Sequence, residues 1–301
     1  MKNILAVGSL AFDTVSTPMG KADHVLGGSL NYFSIAASFF TGLQLVGVVG
    51  EDFPSNHLNY LANRTIDIKG IKVMPGKTFH WTGEYGRDMN EAVTLSTQLN
   101  VFEHFNPQLP ENYRDAQYVF LGNIAPELQM CVLEQVRKPK LIALDSMNFW
   151  ITGRKDSLLK VLPRIDLLTI NEGEVQLLAD EANVVLAAEK ILKMGPKAIV
   201  VKRGEYGAFL FFENEIFSAP AVPIRKVVDP TGAGDTFAGG MLGYLASKGQ
   251  GLDHSTLRQA VLMGSVMASF TVEDFSFRRL QSLERDEIDQ RLSYLKKTMT
   301  V

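Results

Sequence analysis

The chain has 301 residues, 46% hydrophobic and 21% charged, with 30 Lys and Arg against 33 Asp and Glu. A chain this long buries about three quarters of its unfolded surface, and its ordinary apolar fraction and mixed charge argue against disorder. A net charge of −3 gives no general pull toward nucleic acid or an anionic membrane, and no apolar run reaches the ~18 residues of a membrane span.

Cys131 is the only cysteine, which excludes an intrachain disulfide and a thiolate metal cluster. With an opening apolar run too short for a signal peptide, the expectation is a soluble cytoplasmic protein.

In chain order, short apolar runs alternate with amphipathic ones. A strand at 4–8 precedes a helix at 29–40, and a strand at 45–49 precedes a helix at 55–62. The rhythm resumes with strands at 118–121, 141–144, 167–170 and 198–202, interleaved with helices at 127–136, 172–178 and 187–194. Continuous Val, Ile and Leu runs fit strands covered on both faces, so the expectation is an α/β fold around a parallel sheet. Two regions break the pattern. Segments 78–85 and 92–99 read as a β-hairpin with Phe79, Trp81 and Tyr85 on one face, and the end turns helical at 235–247, 255–270 and 284–297. No linker divides the chain, so residues 1–301 read as one domain with a projecting lid.

The stretch from Val228 to Gly240, Val-Asp-Pro-Thr-Gly-Ala-Gly-Asp-Thr-Phe-Ala-Gly-Gly, carries the chemistry. Gly232, Ala233 and Gly234 permit a tight turn, and the helix behind it aims unpaired N–H groups at that turn, an anion site. Asp235 would there take a proton from a hydroxyl attacking phosphorus; the plainer reading is a helix cap after a glycine turn.

The longer string resembles the carboxy-terminal signature of the ribokinase-like (PfkB) family of carbohydrate and nucleoside kinases. The resemblance extends to Ala6–Asp13, to Gly27-Gly28-Ser29-Leu30-Asn31, to Asn171-Glu172-Gly173-Glu174 and to Val201–Gly207. It implies a three-layer sandwich on a mostly parallel sheet, with a small β-sheet lid from about 12–26 and 76–102. It implies Asp235 as base, Gly232, Ala233 and Gly234 as anion hole, and Asp13, Gly27, Gly28 and Asn31 at the acceptor. On the nucleotide side it implies Asn171, Lys202, Gly204, Gly207 and Thr231, with Glu174 and Asn171 arranging Mg²⁺; ATP is the donor, and a monovalent cation stays open.

Read without the family, each assignment has a plainer counterpart. Asp13 fits a turn, Asn31 an exposed first helical turn, Asn171 and Glu174 a helix start, and Lys202 a strand end. Two departures stand out. Asp145 and Asn148 remain of an Asp-Pro-Asn-x-Arg pattern whose Arg is absent, and Asp274–Arg279 replaces a Gly after the last core helix. Gly70 to Thr78 nearly makes a P-loop, but five residues separate its glycines and a strand-like segment follows, so it reads as a turn into the lid.

The expected activity is ATP-dependent phosphorylation of a hydroxyl on a small sugar. A nucleoside kinase is the nearest alternative, and a non-catalytic sugar or nucleotide sensor the more distant one. The aromatic face suits a stacked base, packing within the lid, or a homodimer formed through it.

Overall fold

The computed structural model describes residues 3–249 and 251–300. Its strands and helices run β1 (Asn3–Val7), β2 (Ala11–Thr17), β3 (Gly20–Gly27), α1 (Ser29–Ala37), β4 (Gly42–Gly50), α2 (Ser55–Ala62), β5 (Ile66–Met74), β6 (Phe79–Tyr85) and β7 (Ala92–Gln98). They continue through β8 (Tyr118–Leu121), α3 (Pro126–Leu133), β9 (Leu141–Asp145), α4 (Asn148–Gly153), α5 (Lys155–Val161), β10 (Leu167–Asn171), α6 (Glu172–Ala179), α7 (Val184–Leu192) and β11 (Ala198–Lys202). An antiparallel pair β12 (Ala208–Phe212) and β13 (Glu215–Ala219) precedes α8 (Ala233–Lys248), α9 (His254–Thr271), α10 (Arg278–Gln281) and α11 (Arg285–Thr298).

Nine strands form the main sheet in the order β13-β12-β11-β10-β9-β8-β1-β4-β5. Seven are parallel, and β12 and β13 add an antiparallel edge. The sheet divides two apolar layers, as β1 illustrates: Ile4 and Ala6 join the core that includes Phe33, Met241 and Val266, while Leu5 and Val7 join the one that includes Val175 and Ile191. A strand buried on both faces is apolar throughout, which is why these strands were readable as runs rather than alternations.

The second sheet, in the order β3-β2-β6-β7, is built from the residues expected to form the lid. The 78–99 hairpin is present as the antiparallel pair β6 and β7, and β2 runs parallel to β6. Helix α3 stops at Leu133, short of 136, and α1 at Ala37, short of 40. The sequence reading passed over β5, β12, β13 and the short α4, α5 and α10. The near-P-loop segment lies largely in β5, its Gly76 and Lys77 in the connection to β6.

Candidate active site

Parallel strands of an open α/β sheet present ligands at their carboxyl ends, where the strand order reverses. The reversal falls at β1: the chain passes to β4 and β5 on one side, then returns to β8 on the other. Asp145, Asn171 and Lys202 close β9, β10 and β11.

Helix α8 starts against this edge. Gly232, its N-cap, has φ +74° and no side chain caps the helix. The Tyr32 ring occupies the space a Cβ on Gly232 would need, so only glycine fits the turn. The Ala233 amide donates to the Pro230 carbonyl at 3.1 Å, which removes it from the anion hole expected of it. The amides of Gly232, Gly234 and Asp235 have no backbone partner among the described residues. Unpaired N–H groups at the positive end of a sixteen-residue helix favour an anion.

Lys202 supplies a full charge at the same place. Its Nζ lies 3.0 Å from where a Cβ on Gly234 would stand, and it donates to Asp145 Oδ2 at 2.9 Å and Oδ1 at 3.1 Å. The side chains of this pair are only 16% and 6% exposed, so neither charge is left to water. Burial alone would lower the Lys202 pKa, but the charges of Asp145 and Glu174 outweigh it and hold the ammonium above its ordinary value. Asp235, in the first turn of α8, is pushed up to about 7 by burial and then by Asp145; Lys202 and its own amide pull the other way.

Asn171 and Glu174 form a capping box on α6: Asn171 Oδ1 accepts from the Glu174 amide at 2.8 Å, and Glu174 Oε2 accepts from the Asn171 amide at 2.9 Å. The plain reading, a helix start, is therefore physically present. Burial raises the Glu174 carboxyl to about 7, with Lys202 lowering it and Asp145 raising it, so it belongs to the same electrostatic cluster.

On the small sheet, Asp13 of β2 lies against the Gly27 Cα, with no room for a side chain there, and Gly28 has φ +90°. Asp13 is 5% exposed, and burial, then the charges of Asp229 and Asp235, raise its carboxyl to about 8. That coupling brings the expected acceptor carboxylate and the expected base into one cluster. Asn31 is not at a solvated helix turn: it is fully buried, Nδ2 donates to the Gly27 carbonyl at 2.6 Å, and Oδ1 meets His57 Nε2 at 2.8 Å. A carbonyl accepts only, so Oδ1 must take its proton from His57 Nε2. Burial lowers the His57 pKa to about 4, keeping the ring neutral.

Thr231 donates its amide to Asp229 Oδ1 at 2.9 Å and its hydroxyl to Tyr85 Oη at 3.3 Å, so the small sheet reaches the turn. Asp229 is 1% exposed, and its Oδ2 accepts from the Ser276 amide at 3.3 Å. Gly204 and Gly207 bound a short turn after β11, both at positive φ, and the side chain of Asn90 from the β6–β7 connection lies over Gly204. The aromatic face divides: Phe79 stacks on Phe102 at 5.5 Å, Trp81 lies over Gly83 and donates to Thr94 at 3.1 Å, and Tyr85 meets Thr231.

Asp145, Asp229, His57 and Tyr32 are not site residues in the sequence reading, and Tyr85 is there only as part of an aromatic face, not as a partner of Thr231. Asp229 and Asp145 each sit in a quoted motif, which was the available signal; a lone His57 on α2 offers none.

The chain is similar to known kinases. A family model described as pfkB family carbohydrate kinase matches residues 1–281. A cytidine kinase from Thermococcus kodakarensis is 31% identical over 261 residues, covering 84% of this chain and 91% of that one. A nucleoside kinase from Methanocaldococcus jannaschii superposes with a TM-score of 0.77 at 21% identity, covering 98% of this chain and 99% of that one. A ribokinase II candidate from Escherichia coli, solved with ATP and Mg²⁺, gives 0.81 at 21% identity over 98% and 100%. With the family signature on an uncapped helix start between buried acids and a buried lysine, the chain belongs to the pfkB family and is an ATP-dependent phosphotransferase with an alcohol group as acceptor.

Proposed function

We propose that the chain transfers the γ-phosphoryl group of ATP to a hydroxyl of a nucleoside. The carrying observation is Asp235: its carboxyl, raised to about 7, stands in the first turn of an uncapped helix, coupled to Asp13 on the small sheet. The choice of a nucleoside over the small sugar expected first is supported by the cytidine kinase at 31% identity. The sensor alternative lacks a use for an acid held at the pKa of a general base.

Asp13 accepts from acceptor hydroxyls, and the Asn31–His57 pair fixes the Gly27 backbone against it. Ionised Asp235 takes the proton of the reacting hydroxyl as its oxygen bonds to the γ-phosphorus; the bond to the β–γ bridging oxygen breaks and ADP leaves. The amides of Gly232 and Gly234 and the Lys202 ammonium stabilise charge on the transferring group. Tyr85 at Thr231 and Asn90 over Gly204 hold the small sheet across both sides of the cleft, where it excludes water as a lid.

The donor set fits Mg²⁺ carried on phosphates. Among the described residues no three His, Cys, Asp or Glu side chains form a metal cage, and Mg²⁺ is ordinarily held by one or two carboxylates plus substrate phosphates. Glu174 and Asn171 would hold it, and the ion would neutralise charge on the β- and γ-oxygens. A monovalent cation is not part of this reading.

No helix among the described residues is long and apolar enough to cross a membrane, and the reading keeps a cytoplasmic address. It also includes a homodimer through the small sheet.

The test is turnover of cytidine, inosine and ribose with ATP and Mg²⁺ by wild type and Asp235→Asn. The variant is expected to bind nucleotide and acceptor in calorimetry yet turn over more than about 10²-fold slower. Most of the activity surviving removes Asp235 as base; phosphorylation of ribose with neither nucleoside accepted removes the nucleoside reading.

A further inference from the structure

Tyr32 follows Asn31 on α1 and is 1% exposed. Its ring packs against Gly232 on one side and meets the Phe277 ring edge-on, with centroids 5.5 Å apart. A buried tyrosine hydroxyl ordinarily has a partner. That of Tyr32 makes no hydrogen bond to a described residue, yet it is not among the described side-chain polar atoms that are both cut off from solvent and without a hydrogen bond. The Tyr32 oxygen therefore keeps a narrow access to solvent, on a ring seated against the Gly232 turn.

The charged and titratable groups that act on it come from four separate segments of the chain. Asp13 from β2 acts on it most strongly, then Asp229 before the turn, Tyr85 from β6 and Asp235 from α8. Burial and these charges hold the phenol well above its ordinary range, so it remains a donor at working pH. Asn31, the neighbour expected to bind the acceptor, already serves Gly27 and His57.

We infer that the Tyr32 hydroxyl binds the acceptor, donating to a ribose hydroxyl whose own proton Asp13 accepts. This rests on the phosphotransfer reading above and names the group that discriminates a ribose from its deoxy counterpart. A site built to bond a hydroxyl rejects the analogue lacking it, because its buried groups are then left unpaired. The competing explanation, a ring that only supports Gly232, predicts no dependence on the phenolic oxygen.

Tyr32→Phe keeps the ring and removes the oxygen. Cytidine, 2′-deoxycytidine and 3′-deoxycytidine are compared with wild type and variant; if ribose alone is phosphorylated, ribose, 2-deoxyribose and 3-deoxyribose take their place. The variant is expected to raise the acceptor KM about 10-fold, leave the KM for ATP and the Tm unchanged, and lose discrimination against one deoxy analogue by the same factor. An unchanged acceptor KM, or an equal loss on all three acceptors with a fall in Tm, overturns the inference while leaving the phosphotransfer reading in place. Wild type alone gives a second check should the variant not fold: equal kcat/KM for the ribose form and both deoxy forms also overturns it. If inosine alone is phosphorylated, inosine, 2′-deoxyinosine and 3′-deoxyinosine are compared in the same way; if cytidine, inosine and ribose are all refused, both readings fall together.

Discussion

The acids of the cleft oppose folding at the pH where they serve chemistry. The Asp13 carboxyl moves from 3.8 to about 8, chiefly through burial, so the folded chain holds its proton more tightly than the unfolded chain does. Stability linked to that proton is present at low pH, declines as pH rises through the window from about 4 to 8, and is gone above it. Asp13→Asn cannot ionise and escapes that decline. It is expected to melt about 2–4 °C above wild type at pH 8, with the gap closing near pH 4, while acceptor binding is lost. Calorimetric scans at the two pH values decide: a variant that melts lower at both makes Asp13 a structural hydrogen-bond acceptor instead. Asp235 adds a kinetic signature, because only its ionised form accepts a proton. The acceptor kcat/KM should rise between pH 5 and 7, and a profile flat across that range would mean the proton goes elsewhere.

At the scale of elements, one stretch can serve two ends, as α6 illustrates. Its capping box uses the same Asn171 and Glu174 that the metal reading needs, and Glu174 also accepts from the Asn148 amide at the start of α4. Glu174→Gln keeps an oxygen for those amides and removes the charge. The Mg²⁺ concentration for half-maximal rate should rise about 10-fold with Tm nearly unchanged; an unmoved Mg²⁺ titration leaves only the cap. The same overlap explains what could be read from the sequence. The parallel strands were legible because burial on both faces leaves a run of Val, Ile and Leu. The Gly232–Asp235 turn was legible because its glycines and acid are consecutive. Strand β5 was not: Lys69, Lys72 and other polar residues line it at the sheet's edge, and its pattern resembles a loop. Lys202 could be placed at a strand end but not given a partner, since Asp145 lies 57 residues away and only the β9–β10–β11 pairing brings them together. His57 and Tyr32 acquire meaning only from what α1 packs against.

For the whole molecule, the open question is how many chains make the working unit. The aromatic stripe that first suggested pairing is used within the chain, on Phe102, Gly83 and Thr231. The edge of the small sheet is the better ground. Strand β7 pairs only with β6, is exposed at every residue, and presents Val93 and Leu95 at 58% and 57% exposure. A free edge carrying apolar side chains tends to find another edge, and a two-fold pairing of β7 with its copy would close it. Such a pairing would also steady the sheet that carries Asp13 and Tyr85 to the cleft, coupling assembly to acceptor affinity. Sedimentation at micromolar concentration should therefore give a dimer. Val93→Lys with Leu95→Lys, which touches no residue of the cleft, should give a folded monomer with a higher acceptor KM. A wild-type monomer rejects the pairing, and a dimer that persists in the double variant places the contact on another face.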